Sequence, residues 1–173
     1  MITALRQLLV LEAQDMLSAE RQLIDALPSM IAASRSEELR DQLDSHLGET
    51  RRQLDRTEQA MHALGAEPSD DQCEAMEGLI SETEELIDEE LSPAILDAAL
   101  VLAAQKIEYY EIASYRGLIA LSRSCGEDEA LELFEQNLAE EERAADRLDR
   151  LASGTIHKFA RDTEEVDVEG DVA

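Results

Sequence analysis

Residues 104–115 read Ala104-Gln-Lys-Ile-Glu108-Tyr-Tyr-Glu111-Ile-Ala-Ser-Tyr115, and this stretch decides the fold. Its apolar positions recur at helical spacing, and Glu108 and Glu111, three apart, share the face that a helix would bury. A carboxylate on such a stripe costs several kcal/mol unless it is paired or binds a cation. The same coincidence recurs on three more long amphipathic stretches, at Glu20, at His46 with Glu49, and at Glu141. Four helices that each carry an acid near mid-length form the pattern of a four-helix bundle built around a di-metal centre.

Working outward, Ser92-Pro93 opens this helix, with serine at the N-cap and proline in the first turn. It runs to about Ser124 and breaks at Cys125-Gly126; a last helix follows from Glu127 to about Ala152, before Gly154, with a stripe of Phe134, Leu138, Glu141, Ala145 and Leu148. Upstream, the first long helix carries Leu5, Leu9, Glu12, Met16, Glu20, Leu23, Leu27 and Met30 at spacings of three and four. Pro28 should kink it or mark a local break. Ser36, with Glu37 and Glu38 behind it, is the N-cap of the second helix, whose stripe is Leu39, Leu43, His46, Thr50, Leu54, Thr57 and Met61. That helix stops at Leu64-Gly65. A loop then leads to a shorter helix from about Cys73 to Glu90, and no strand signal occurs anywhere.

Two antiparallel hairpins joined by this shorter helix make a bundle with a crossover, the ferritin-like connectivity. Sequence alone also permits a simple up-and-down arrangement of five helices. The heights agree with a shared centre. If the first hairpin turns near residue 34, Glu20 faces residue 48, between His46 and Glu49. If the second turns near residue 125, Glu108 and Glu111 face a window that contains Glu141.

The 173 residues suit one domain, with a bundle over 1–160 and an acidic, disordered tail over 161–173. Two cysteines far apart, no C-x-x-C pair, no signal-peptide pattern and no apolar run of membrane length point to a soluble cytoplasmic protein. The formal charge is −26, from 41 acids against 15 bases, of which only Lys106 and Lys158 are lysine. Such a field repels nucleic acid and anionic membranes. The tail holds six acids and one arginine, so the acidity belongs to the folded surface. Scarce lysine with arginine kept points to a surface adapted to high salt; a cation-collecting surface that feeds a metal site is the competing reading.

An oxygen-rich donor set with a single imidazole suits two iron or manganese ions better than a structural zinc. The candidate ligands are Glu20, His46, Glu49, Glu108, Glu111 and Glu141. Each has a plainer reading taken alone: a glutamate on a stripe can snorkel, hold a proton or pair with arginine, and a lone core histidine is usually hydrogen-bonded. Glu12 lies on the stripe of Glu20 but nearer the end, where water reaches it. On the last helix, Glu142 with Asp146 is the alternative to Glu141. Tyr109, Tyr110 and Tyr115 sit beside Glu108 and Glu111, and a phenol there can pack or hydrogen-bond a carboxylate. His62 and His157 read as surface residues, and Met16, Met61 and Met76 as core.

The segments Leu17–Leu23, His46–Thr50, Cys73–Ile80, Ala104–Tyr115 and Leu138–Leu148 resemble the YciE/YciF family of ferritin-like bacterial stress proteins, over about residues 3 to 160. The resemblance implies a ferritin-like bundle, a homodimer and a di-metal site. Two departures stand out. Better-known ferritin-like oxidases use E-x-x-H on two helices, whereas this chain has H-x-x-E and E-x-x-E, and Ala145 stands where the family often has an aspartate.

The expected function is therefore a ferritin-like stress protein with two iron or manganese ions that reacts with peroxide or dioxygen, or oxidises ferrous iron, using an external electron donor. A non-enzymatic helical stress protein with a structural metal, or none, is the alternative. A storage cage is weaker, because no separate nucleation surface can be assigned. The charge yields a direct expectation: the melting temperature should fall steadily as potassium chloride is lowered from molar to millimolar levels. A melting temperature independent of salt would count against salt adaptation.

Overall fold

Capping residues set where the expected helices begin and end. The computed structural model describes residues 2–69 and 71–162, and its helices are α1 (Leu5–Ala33), α2 (Glu37–Ala63), α3 (Glu74–Asp88), α4 (Pro93–Cys125) and α5 (Asp128–Leu151). Among the described residues there is no strand. The Ser36 hydroxyl accepts the Leu39 amide at 3.3 Å and so opens α2. Pro93 takes the first turn of α4, where its missing N–H costs nothing. Gly126 ends α4 at φ 73°, a conformation that glycine adopts freely, and its amide closes on the Ser122 carbonyl.

Two details differ from the sequence reading. α1 runs unbroken through Pro28, which lies on the exposed side, so water can serve the carbonyl of Ile24 that proline leaves free. Gly154 does not end the last helix. A π-helical stretch over Ala152–Ile156 widens the turn, and helix then continues to residue 162. Ile156 and Ala160 are buried beyond the glycine, so apolar spacing persists past it and the wider turn keeps it in register. Of the expected tail over 161–173, Arg161 and Asp162 belong to this helix, and the rest lies outside the described residues.

In the bundle α1 packs on α2, α2 on α5, α5 on α4 and α4 on α1. α3 packs on α1 and α4, not between α2 and α4, which excludes the simple up-and-down order and makes α3 the crossover. Met16, Leu23 and Leu27 of α1, Leu43 of α2 and Phe134 of α5 are fully or almost fully buried, and each such side chain contributes about 1.5–3 kcal/mol by leaving water. Met61 and Met76 join them, as expected. Tyr115 packs on Phe134 with ring centroids 6.2 Å apart and planes tilted by 40°. Among the described residues no helix is long and apolar enough to cross a membrane.

One pin joins the two hairpins at the end of the bundle. Asp97 of α4 is buried, and its two carboxylate oxygens accept the amides of Arg35 (2.7 Å) and Ser36 (2.8 Å) in the α1–α2 turn. These donors would otherwise be orphans at the start of α2. Asp97→Ala should lower unfolding stability by about 1–3 kcal/mol, the range for hydrogen bonds accepted by a buried carboxylate. Equilibrium denaturation checks this, and a loss no larger than that of an exposed Asp→Ala control would contradict it.

Candidate metal centre

Near mid-height the bundle interior turns from apolar to acidic. His46 of α2, Glu108 and Glu111 of α4 and Glu141 of α5 each offer a ligand atom, and these atoms all lie within 4.8 Å of one another. None of the four residues is more than 5 % exposed. His46 Nε2 stands 3.2 Å from Glu108 Oε1. Helical spacing explains the convergence: residues three apart on α4 lie on adjacent turns of one face.

Glu20 of α1 is also fully buried, and its charge acts on Glu111 and feels that of Glu141. The Tyr115 hydroxyl donates to Glu20 Oε1, which leaves Oε2 without a partner. Glu49 behaves differently. It stands one helical turn from His46, with Oε2 at 3.7 Å from His46 Nδ1, but the same oxygen accepts a 2.5 Å bond from Arg147 of α5. The geometry also separates the two candidates on α5. Glu142 is exposed and paired with Arg116, and Asp146 is exposed beside Arg150, whereas Glu141 is fully buried. Glu12, His62 and His157 are all exposed.

The cluster is electrostatically costly. Burial first, and the charge of Glu141 second, push the carboxyls of Glu20, Glu108 and Glu111 well above the usual carboxylate range. Burial also raises Glu141, against the opposing pull of His46. Glu49 goes the other way: burial would raise it, but His46 and Arg147 together hold it below the ordinary value. Among the described residues, eight of the twelve buried side-chain oxygen and nitrogen atoms that lack a hydrogen-bond partner belong to Glu20, His46, Glu108, Glu111 and Glu141. Buried polar atoms are nearly always satisfied, so this concentration fits a site that takes cations: the residues could hold a metal, with oxygen donors and one imidazole.

A polar layer adjoins the cluster, and the sequence reading missed most of it. Asn137 is fully buried and donates from Nδ2 to the Tyr115 hydroxyl (2.9 Å), Thr57 Oγ1 (3.2 Å) and the Gln53 carbonyl (3.2 Å). Its own carbonyl accepts from Arg56 Nε at 2.5 Å, and Arg56 also binds Glu140. Where the stripes named Leu54 and Leu138, the structure buries Gln53 and Asn137 fully and leaves both leucines half-buried. The register is offset by one residue at each place; at Asn137 the facing partners are the hydroxyls of Thr57 and Tyr115, whereas the buried Gln53 side chain makes no hydrogen bond. The signal was available in the pairing of Gln53 with Thr57, i and i+4 on one helix face. Of the three tyrosines, Tyr115 bonds a candidate ligand, Tyr110 bonds Cys73 (2.9 Å) and Asp15 (3.1 Å), and Tyr109 is exposed beside Asp149.

With the geometry in hand, the chain compares closely with known proteins. The family described as "Domain of unknown function (DUF892)" matches residues 4–161. Protein YciF of Escherichia coli strain K12 is 38 % identical over 147 residues, which cover 84 % of this chain and 89 % of YciF. The crystal structure of the E. coli stress protein YciF superposes with a TM-score of 0.87 at 35 % identity, covering 91 % of this chain and 99 % of that one. YcfI of Rhodopseudomonas palustris gives 0.83 at 39 % identity, covering 86 % and 94 %. A Xanthomonas campestris protein, at 22 % identity and 0.76, shares the fold.

The raised carboxyls make a signed prediction for metal-free protein. Each binds more protons folded than unfolded, so the stability it contributes is full below the ordinary carboxylate value and is lost as pH rises through its displaced one. Glu49 opposes this, losing its contribution as pH falls. Melting temperature in high salt should therefore drop as pH rises above the ordinary carboxylate range. Glu111→Gln should flatten that slope, while Glu142→Gln on the exposed face should not. Equal slopes in both variants would locate the effect on the surface instead.

Proposed function

The chain belongs to the DUF892 family, and we propose that it is a stress-response protein whose bundle holds two iron or manganese ions. The proposed ligands are Glu20, His46, Glu49, Glu108, Glu111 and Glu141. The observation that carries this reading is the concentration on five of these residues of eight of the twelve buried, unpartnered side-chain oxygen and nitrogen atoms among the described residues. Five carboxylates and an imidazole also offset about the four charges of two divalent ions. The stress role rests on similarity to E. coli YciF.

The chain's own residues then divide the work. Both oxygens of Glu111 and of Glu141 lack hydrogen-bond partners, so these two residues would offer the most oxygen donors to bound cations. The two nitrogens of His46 face opposite acids, Nε2 toward Glu108 and Nδ1 toward Glu49. Tyr115 holds its proton against Glu20 Oε1, keeping that carboxylate oriented and its second oxygen available. Burial of the set excludes bulk water, and the aliphatic layers above and below keep the walls rigid. Bound iron or manganese would supply one-electron redox chemistry and Lewis acidity toward peroxide or dioxygen, or accept electrons from ferrous iron as substrate. Electrons would come from an external donor, and the working unit would be a homodimer.

Complete burial of Glu20, Glu111 and Glu141 favours a second reading, a closed structural site in a non-enzymatic bundle. Measurement of the metal content of protein purified in high salt separates these. About two iron or manganese ions per chain, lost in both His46→Ala and Glu108→Ala, is the expected result. Stoichiometric metal with no oxidant consumed would leave the structural reading. No stoichiometric metal, with helicity unchanged in the variants, would end the di-metal reading.

A further inference from the structure

Glu49 is the one candidate ligand that touches solvent appreciably. Its side chain is 14 % exposed, and the Arg147 guanidinium that binds it is 30 % exposed. The two lie across the seam between α2 and α5, on helices that pack directly together. Arg147 binds the same carboxylate oxygen that stands 3.7 Å from His46 Nδ1, and Nδ1 has no hydrogen-bond partner of its own. The other four carboxylates are at most 2 % exposed. The acidic cluster therefore meets water at a carboxylate that an arginine already grips.

We propose that Arg147 is the stand-in cation of the metal-free protein: metal ions reach the cluster along the α2–α5 seam by displacing its guanidinium from Glu49 Oε2. This rests on the di-metal reading above. The exchange is balanced in charge and breaks no covalent bond. One cation leaves the carboxylate as another arrives, and the displaced guanidinium moves into water beside a surface rich in acids. Arginine suits the part because it stays charged at every accessible pH and its long stem lets the head swing outward while the helix stays in place. In the metal-free protein its charge also eases the cost of Glu108, among the buried acids that lack a countercharge of their own. The ion pair thus stabilises the metal-free fold and competes with the metal for one ligand.

The test uses the full chain, stripped of metal in high salt, and cobalt(II) as the probe, followed by its visible absorption in stopped-flow and in equilibrium titration. Arg147→Ala removes the competitor, and Arg147→Gln does so while keeping a polar stem should the alanine variant fold poorly. Arg116→Ala is the control, since it removes one positive charge from an exposed pair with Glu142 on the same bundle. Both Arg147 variants should take up cobalt about tenfold faster than Arg116→Ala and bind it more tightly, as expected when a charge at the rim of a site is changed. Arg147→Lys should stay near wild type. Uptake by the Arg147 variants no faster than the control, or weaker binding, would overturn the exchange while leaving the metal centre standing. No cobalt uptake by wild type would overturn both.

Discussion

Like charges that must share a dry space constrain everything else in this molecule. Glu20, Glu108, Glu111 and Glu141 converge where burial forbids ordinary ionisation, and the charge of Glu141 adds to the cost at each of the other three. Such a cluster persists only if the scaffold cannot relax around it. The long helices, the apolar layers on either side and the Asp97 pin between hairpins supply that rigidity, so the tertiary structure is best understood as a frame that keeps acids together against their repulsion.

The frame is asymmetric. On the Glu20 side the cluster is braced by Tyr115, Asn137 and Thr57, a buried network that ends at Arg56 and Glu140 near the surface. Tyr115, Asn137, Thr57 and Arg56 each reach at least two partners, which fixes the phenol and the acid it serves. On the Glu49 side there is a single ion pair. One end is thus over-determined and the other adjustable, a division consistent with a site that keeps its geometry and still exchanges its contents.

Much of this was legible in the sequence. Amphipathic periodicity with an acid at mid-length marked the helices and four of the deepest residues, Glu20, Glu108, Glu111 and Glu141, because a charged group on an apolar stripe is informative where an exposed one is not. Capping chemistry at Ser36, Ser92-Pro93 and Gly126 located the boundaries. The amides stayed hidden: a stripe traced by hydrophobicity takes Leu54 and Leu138 over Gln53 and Asn137, since amides score as surface and the hydroxyls that receive Asn137 lie on other helices. The grip of Arg147 on Glu49 was equally invisible, because it joins α2 to α5 across 98 positions of chain. Gly154 misled because a π-helical turn absorbs it, with Ile156 buried beyond.

The placement of the tyrosines also affects what light can learn about this protein. The chain has no tryptophan, and its three tyrosines lie within seven residues of α4 in three distinct settings. Tyr109 is solvent-facing, Tyr110 touches a thiol, and Tyr115 is sealed against Glu20. The intrinsic near-ultraviolet absorption and fluorescence of the molecule therefore come mainly from one short stretch of α4, with one of its three phenols against the acidic interior. Difference spectra can follow the buried chromophore with the exposed one as internal reference, and no dye or label need be added.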